Sequence, residues 1–207
     1  MGAFVVFEGI DGSGKSIQAS TLVNTLTQHG KATLLTQEPG GTLLGETLGH
    51  WLKADYKRSD LAELFLFAAA RAEHVARVIK PTLDKGYTVV CDRFTGSTIA
   101  YQGYARGISL ELIQQINRYS THGLNPTLNI LLDIPLELAQ TRKKADKLDH
   151  FEKAGSSFHQ KARDGYLSLA NNNPHEWFVV DGTLSKKAIS TAIWDRVQSH
   201  IDQMSQF

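Results

Sequence analysis

Phe4-Val5-Val6-Phe7-Glu8-Gly9-Ile10-Asp11-Gly12-Ser13-Gly14-Lys15-Ser16 is the stretch on which the reading of this chain turns. An apolar run leads into the template G-x-x-x-x-G-K-S/T, and a helical pattern begins at Ile17, which is the setting of a phosphate-binding loop. Gly9, Gly12 and Gly14, with Ile10, Asp11 and Ser13 between them, let backbone N–H groups converge on a polyphosphate. Lys15 neutralises its outer oxygens, the Ser16 hydroxyl can ligate magnesium, and the helix that follows offers its positive end.

Outward from this loop, strand and helix patterns alternate. Ala19, Leu22, Val23 and Leu26 give Ile17 to His29 an amphipathic helical period, closed by Gly30. Lys31 to Thr36 reads as a second strand, and Gln37 to Thr42 as a loop whose glycines permit close ligand approach. A helix is expected over Leu43 to Lys53. Another opens at the N-cap Ser59 and runs toward Ile79, apolar around most of its girth, which predicts burial on more than one side. Tyr87 to Cys91 and Leu128 to Asp133 read as buried parallel strands, with helices near Ser97 to Gln102 and Leu110 to Thr121 between them. Pro135 starts a helix that enters the highly charged stretch Arg142 to Glu152. Ser157 to Ala170, a strand at Trp177 to Val180 and a last amphipathic helix complete the pattern. The expected architecture is a three-layer α/β/α sandwich around a five-stranded parallel sheet, formed by one domain over 1–207.

Composition excludes several classes. A formal charge of +1 gives no basic field for holding nucleic acid, and no apolar run is long enough to span a membrane. No export signal is visible at the N-terminus, and the single cysteine, Cys91, cannot form an intramolecular disulfide; both suit the cytoplasm. Cys91 lies in an apolar strand and reads as core. The histidines lack metal-ligand spacing, so no protein-bound zinc is expected.

In open α/β sheets the ligand crevice lies beyond the carboxyl ends of the strands, which would gather Asp11, Glu38, Asp92 and Arg93. The chain carries neither an N-K-x-D guanine reader nor an L-S-G-G-Q signature. It does carry Glu38-Pro39-Gly40-Gly41-Thr42, then Phe67 with Arg71, then Asp92-Arg93-Phe94-Thr95-Gly96-Ser97-Thr98-Ile99-Ala100-Tyr101-Gln102-Gly103. With the first loop, these blocks closely resemble the thymidylate kinase family, in order and over nearly the whole chain. The resemblance implies the P-loop NTPase fold, ATP and Mg2+ as cofactors, transfer of a phosphoryl group to dTMP, and a homodimer.

It also implies roles. Lys15 and Ser16 take the donor side, with Asp92 supporting the metal alongside Ser16. Asp11 meets the acceptor sugar or a magnesium-bound water, and Arg93 clamps the acceptor phosphate. Glu38, Pro39 and Ser97 belong to the acceptor site. Phe67 stacks on thymine, Arg71 one turn later bonds its edge, and Thr98, Tyr101 and Gln102 match the part that reads base and deoxyribose. Members of the family differ in where a catalytic cation sits, in the phosphate loop or in a lid. With Asp11, Gly12 and Ser13 in the loop, it is expected from the lid at about 142–155, where Arg142, Lys143, Lys144 and Lys147 are candidates. Asp149-His150-Phe151-Glu152 departs from the frequent Asp-Arg-x-Glu of that segment. Another nucleoside monophosphate or deoxynucleoside kinase is the nearest rival, and a nucleotide-dependent switch the distant one.

Overall fold

The computed structural model describes residues 2–54, 56–142, 151 and 154–204. Five parallel strands, β1 (Phe4–Glu8), β2 (Thr33–Gln37), β3 (Thr88–Asp92), β4 (Leu128–Asp133) and β5 (Trp177–Asp181), form one sheet in the order β2-β3-β1-β4-β5. β1 is central, its Phe7 in register with Asp92 of β3 and Ile130 of β4, so the loop after β1 opens between two neighbouring strand ends.

Alternation along β1 explains the layers. Val5 and Phe7 point to one face and pack with Ala19, Leu22 and Leu26 of α1 (Lys15–Gln28) and Ile189, Ile193 and Val197 of α9 (Lys186–Met204). Phe4 and Val6 point to the other and pack with Val75, Ile79 and Leu83 and with Cys91 of β3. A strand buried on both faces has no polar side to show, which is why β1, β3 and β4 read as nearly continuous apolar runs. Cys91 is buried, and burial raises its thiol pKa well above the ordinary value, as befits a core residue.

Helix α2 (Leu43–Lys53) starts where the Thr42 hydroxyl accepts from Gly45 N, and α3 (Asp60–His74) where Ser59 accepts from Ala62 N. The predicted run from Ser59 toward Ile79 is one helical path in three parts: α3, a π-turn over Val75–Ile79, and α4 (Lys80–Asp84). Pro81 has no N–H for a carbonyl four residues back and its ring would strike that carbonyl, so a wider turn accommodates it. The short α5 (Thr95–Thr98) likewise widens into a π-turn over Ile99–Ala105, longer than the predicted stretch. α6 (Leu110–Ser120), α7 (Leu136–Arg142) and α8 (Ser156–Asn172) follow; α8 buries Phe158, Ala162 and Tyr166 against Tyr101 and β4. The second strand begins at Thr33, not Lys31, and the third at Thr88, not Tyr87. Among the described residues, no helix is long and apolar enough to cross a membrane.

Candidate active site

The carboxyl ends of β1, β2 and β3 open into a cavity of about 730 Å³. Asp11, Gly12, Ser13, Gly14, Lys15, Ser16, Glu38, Pro39, Phe67, Arg71, Asp92, Arg93, Ser97, Thr98, Tyr101, Gln102 and Arg142 all line it, so positions up to 131 apart in sequence share one space. Gly9 and Ile10 do not line it. They serve through carbonyls: Gly9 O accepts from Arg93 Nη1 at 3.1 Å and Ile10 O from Lys15 Nζ at 3.0 Å. Lys143, Lys144, Lys147, Asp149, His150 and Glu152 lie outside the described residues.

The phosphate loop is shaped by glycine where nothing else fits. Gly12 has φ +86°, and a Cβ there would stand 2.6 Å from the Ala139 carbonyl oxygen; at Gly9, φ +137°, it would stand 2.6 Å from that of Leu132. Lys15 is only 6% exposed, and burial, with Arg93 nearby, lowers its pKa to about 8. Such an ammonium gains from any anion placed against it.

Two observations test the site for a divalent cation. The Ser16 hydroxyl donates to Asp92 Oδ2 at 2.5 Å, joining the two predicted ligands. Asp92 Oδ1 is buried with no hydrogen-bond partner among the described residues, an uncommon state for a carboxylate oxygen. Hard oxygen donors of this kind fit magnesium.

Arg93 is held on a left-handed backbone, φ +73°, which is unusual for a residue with a side chain and marks a position where the surroundings enforce it. Its backbone N–H bonds to Phe7 O at 2.9 Å, and behind it lies Glu8, fully buried at the end of β1. Its Oε1 accepts from Phe94 N and Ser97 N, each at 3.0 Å; its Oε2 accepts from Ser97 Oγ at 2.6 Å and Tyr166 OH at 2.9 Å. Having given their hydrogens to Glu8, both hydroxyls are free to accept from Arg93 Nη1, each at 3.2 Å. Burial raises the Glu8 pKa, and the Ser97 bond and the Arg93 charge oppose that rise. Arg93 Nη2 pairs with Asp11, and its guanidinium carbon sits 5.4 Å from the centre of the Tyr101 ring. Arg93 therefore bonds to Asp11 across the crevice, while its sequence neighbour Asp92 holds Ser16.

At the other side of the cavity, Arg71 is 2% exposed and forms a salt bridge with Glu38. Phe67 precedes it by one turn and lies 5.8 Å, centre to centre, from Phe151. Thr98 is buried, and Gln102 donates to the buried Glu63 at 3.0 Å. Arg58, its side chain 2% exposed, bonds to Glu63 at 3.2 Å and places its guanidinium 5.4 Å from the Trp51 ring and 5.8 Å from Phe151. Arg142 donates to Gly182 O at 3.0 Å, beside Leu184 and Lys186, at the end of the cavity nearest α9.

Sequence reasoning gave no role to Glu8, Arg58, Glu63, His74, Asn117 or Tyr166. Glu8 did carry a signal, a lone carboxylate ending an apolar strand, and His74 follows Arg71 at i, i+3 on one helix face. Asn117 and Tyr166 stand on distant helices, and nothing in their neighbourhood in the sequence announces the contact.

The family model described as thymidylate kinase matches residues 7–193. A thymidylate kinase of Synechococcus sp. (strain JA-2-3B'a(2-13)) is 44% identical over 198 residues, covering 96% of this chain and 95% of that protein. One from Thermomicrobium roseum is 41% identical over 199 residues, covering 95% of each. The crystal structure of thymidylate kinase from Ehrlichia chaffeensis superposes with a TM-score of 0.74 at 36% identity, covering 86% of this chain and 92% of that one. With a family model spanning most of its length and relatives matched almost end to end, this chain belongs to the thymidylate kinase family.

Proposed function

We propose that the chain, acting as one kinase domain in the cytoplasm, transfers the γ-phosphoryl group of ATP to dTMP, giving ADP and dTDP for nucleotide biosynthesis. The observation that carries this reading is the single cavity joining two chemically different ends. One end has Lys15 with the Ser16–Asp92 pair and the other has Phe67 and Arg71; Arg93, bonded to Gly9 O and Asp11, stands between them. Phosphoryl transfer asks a protein mainly to position and neutralise, and these residues are arranged for that.

The backbone of the phosphate loop and Lys15 hold the donor phosphates. Ser16 and Asp92 would hold magnesium, which supplies charge neutralisation across the donor phosphate oxygens. Arg93, pinned by Gly9 O, Ser97, Tyr166 and Asp11, presents a planar fork to the acceptor phosphate. Asp11 stands beside it toward the acceptor sugar. Phe67 offers a ring face to the base, Arg71 donates to its O4 edge, and Thr98, Tyr101, Gln102 and Pro39 complete the walls. Arg142 and Lys147, with Lys143 and Lys144, remain the proposed lid cations; Arg142 already lines the cavity.

Exposed apolar side chains support a homodimer. α3 packs against α2 and α6, yet Leu61 and Phe65 on α3 are 44% and 52% exposed, and Leu43 on α2 is 83% exposed.

The test is kcat/KM for dTMP, dUMP and dCMP. Cytosine sets a donor against Arg71, and mismatched buried donors discriminate strongly, so dCMP should be rejected by far more than dUMP. Loss of the thymine methyl alone should lower kcat/KM by about 10- to 200-fold for dUMP. Equal turnover of dCMP and dTMP would move a different nucleoside monophosphate to first place.

A further inference from the structure

Arg71 has five N–H donors, and three are already committed inside the protein. Nε bonds to Glu38 Oε2 at 2.8 Å, Nη1 to Asn117 Oδ1 at 2.8 Å, and Nη2 to Phe94 O at 3.0 Å. One N–H on each terminal nitrogen is left, in a fixed direction, on a residue that lines the cavity. What fixes that direction is one layer further back. Glu38 Oε1 meets Nδ1 of His74 at 3.2 Å, and Nε2 of the same ring lies 2.7 Å from the Thr36 hydroxyl on β2. A carboxylate only accepts, so Nδ1 must carry a hydrogen. His74 is fully buried, one turn beyond Arg71 on the same face of α3. The loop above it leaves no slack: Gly41, φ +72°, lies so close that a Cβ would stand 2.3 Å from His74 Nε2.

We propose that His74 is a positioning residue for recognition of the acceptor base, acting through Glu38 to hold the Arg71 guanidinium so that its two remaining donors face the pocket. Glu38 thus serves from behind Arg71, both of its oxygens being engaged by Arg71 and His74. An arginine side chain swings readily about its several torsions. Held only by Asn117 and the Phe94 carbonyl it keeps its charge but loses the third point that sets the plane of the fork, and discrimination between acceptor and donor at one base edge depends on that plane.

The inference rests on Arg71 reading the base, and the experiment separates the two claims. The dTMP to dCMP ratio of kcat/KM is measured in wild type, Arg71→Gln, His74→Leu and His74→Asn. His74→Leu keeps bulk and removes the donor; the ratio should fall at least tenfold, chiefly through a higher KM for dTMP. His74→Asn places an amide N–H near the Nδ1 position and should stay within about threefold of wild type. A purely structural His74 would lower thermal stability in both variants and leave the ratio alone. If Arg71→Gln collapses the ratio and His74→Leu does not, the relay is overturned and base reading by Arg71 stands. If Arg71→Gln leaves the ratio intact, base reading fails and the relay with it. Should His74→Leu not fold, Thr36→Val removes only the hydroxyl behind the ring; a drop of about fivefold or more supports the relay, and a ratio within about threefold of wild type overturns it. Independently, the 15N spectrum of wild-type His74 must show a hydrogen on Nδ1, and its absence there refutes the geometry.

Discussion

The strongest quantitative consequence of the site concerns Lys15. With a pKa of about 8 in the free protein, roughly half of the molecules carry the neutral amine at pH 8, and about nine-tenths at pH 9. Donor phosphates placed against Nζ restore the charged form, so nucleotide binding must take up protons: close to 0.1 at pH 7, about 0.5 at pH 8 and about 0.9 at pH 9. Nucleotide phosphates are fully ionised in the upper half of this range and contribute none. Calorimetry of ATP binding at pH 8 and 9, in two non-phosphate buffers of different ionisation enthalpy, reads the uptake directly. Lys15→Arg should abolish it, because guanidinium stays charged throughout. Zero uptake in wild type at pH 9, or the same uptake in Lys15→Arg, would refute the argument. The same shift has a stability side, whose sign follows from linkage. Between about pH 8 and the ordinary lysine value near 10.5, the unfolded chain binds more protons than the folded one, so this group's contribution to stability rises with pH there. Below pH 8 the full cost of burying the ammonium, about 3 kcal/mol at most, is present. Lys15→Met should therefore abolish turnover yet raise Tm at pH 7 by several degrees, a gain that shrinks toward pH 10.

Glu8→Gln opposes two effects: it removes the cost of a buried carboxylate but offers only one good acceptor to four donors. The loss should appear in function more than in folding, as at least a tenfold lower kcat/KM for dTMP from a displaced Arg93; wild-type kinetics would exclude Glu8 from the clamp. Phe65→Glu should convert the proposed homodimer to monomers in sedimentation. Burial of an aromatic side chain is worth about 2 kcal/mol and counts twice across a two-fold axis, so Kd should rise by on the order of a thousandfold; an unchanged sedimentation profile would place the interface elsewhere.

The contrast between Arg71 and Asn117 shows how far the sequence carries. The layers were legible because hydrophobic patterning is local: the unbroken apolar run Phe4-Val5-Val6-Phe7 has no polar side and so declares two buried faces. The phosphate loop was legible because its glycines, lysine and serine are contiguous. Arg71 was legible through the family resemblance, supported by its spacing from Phe67 and its place in an apolar helix. Its partners were not, since Asn117 lies 46 residues away and Phe94 contributes a carbonyl that every residue possesses. Strand order was also not written locally: nothing along a strand names its neighbour, and only tertiary packing puts β3 between β1 and β2.

A physical division underlies this. Groups that touch a ligand must be of particular chemical types at a few tight spacings, and such constraints leave marks that can be read along the chain. Groups that hold those in place need only reach them, from any element that folds within range. Glu8 and His74 fall between the two cases. Each is a titratable side chain placed where an apolar residue would pack at less cost, Glu8 closing a strand buried throughout and His74 fully enclosed on α3. Each bonds into the shell around an arginine: Glu8 to Ser97 and Tyr166 behind Arg93, His74 to Glu38 behind Arg71. A buried charge or ring nitrogen inside an apolar pattern is therefore a trace that a supporting shell can leave in sequence, and in this chain the traces at Glu8 and His74 lead to the two arginines of the proposed acceptor site.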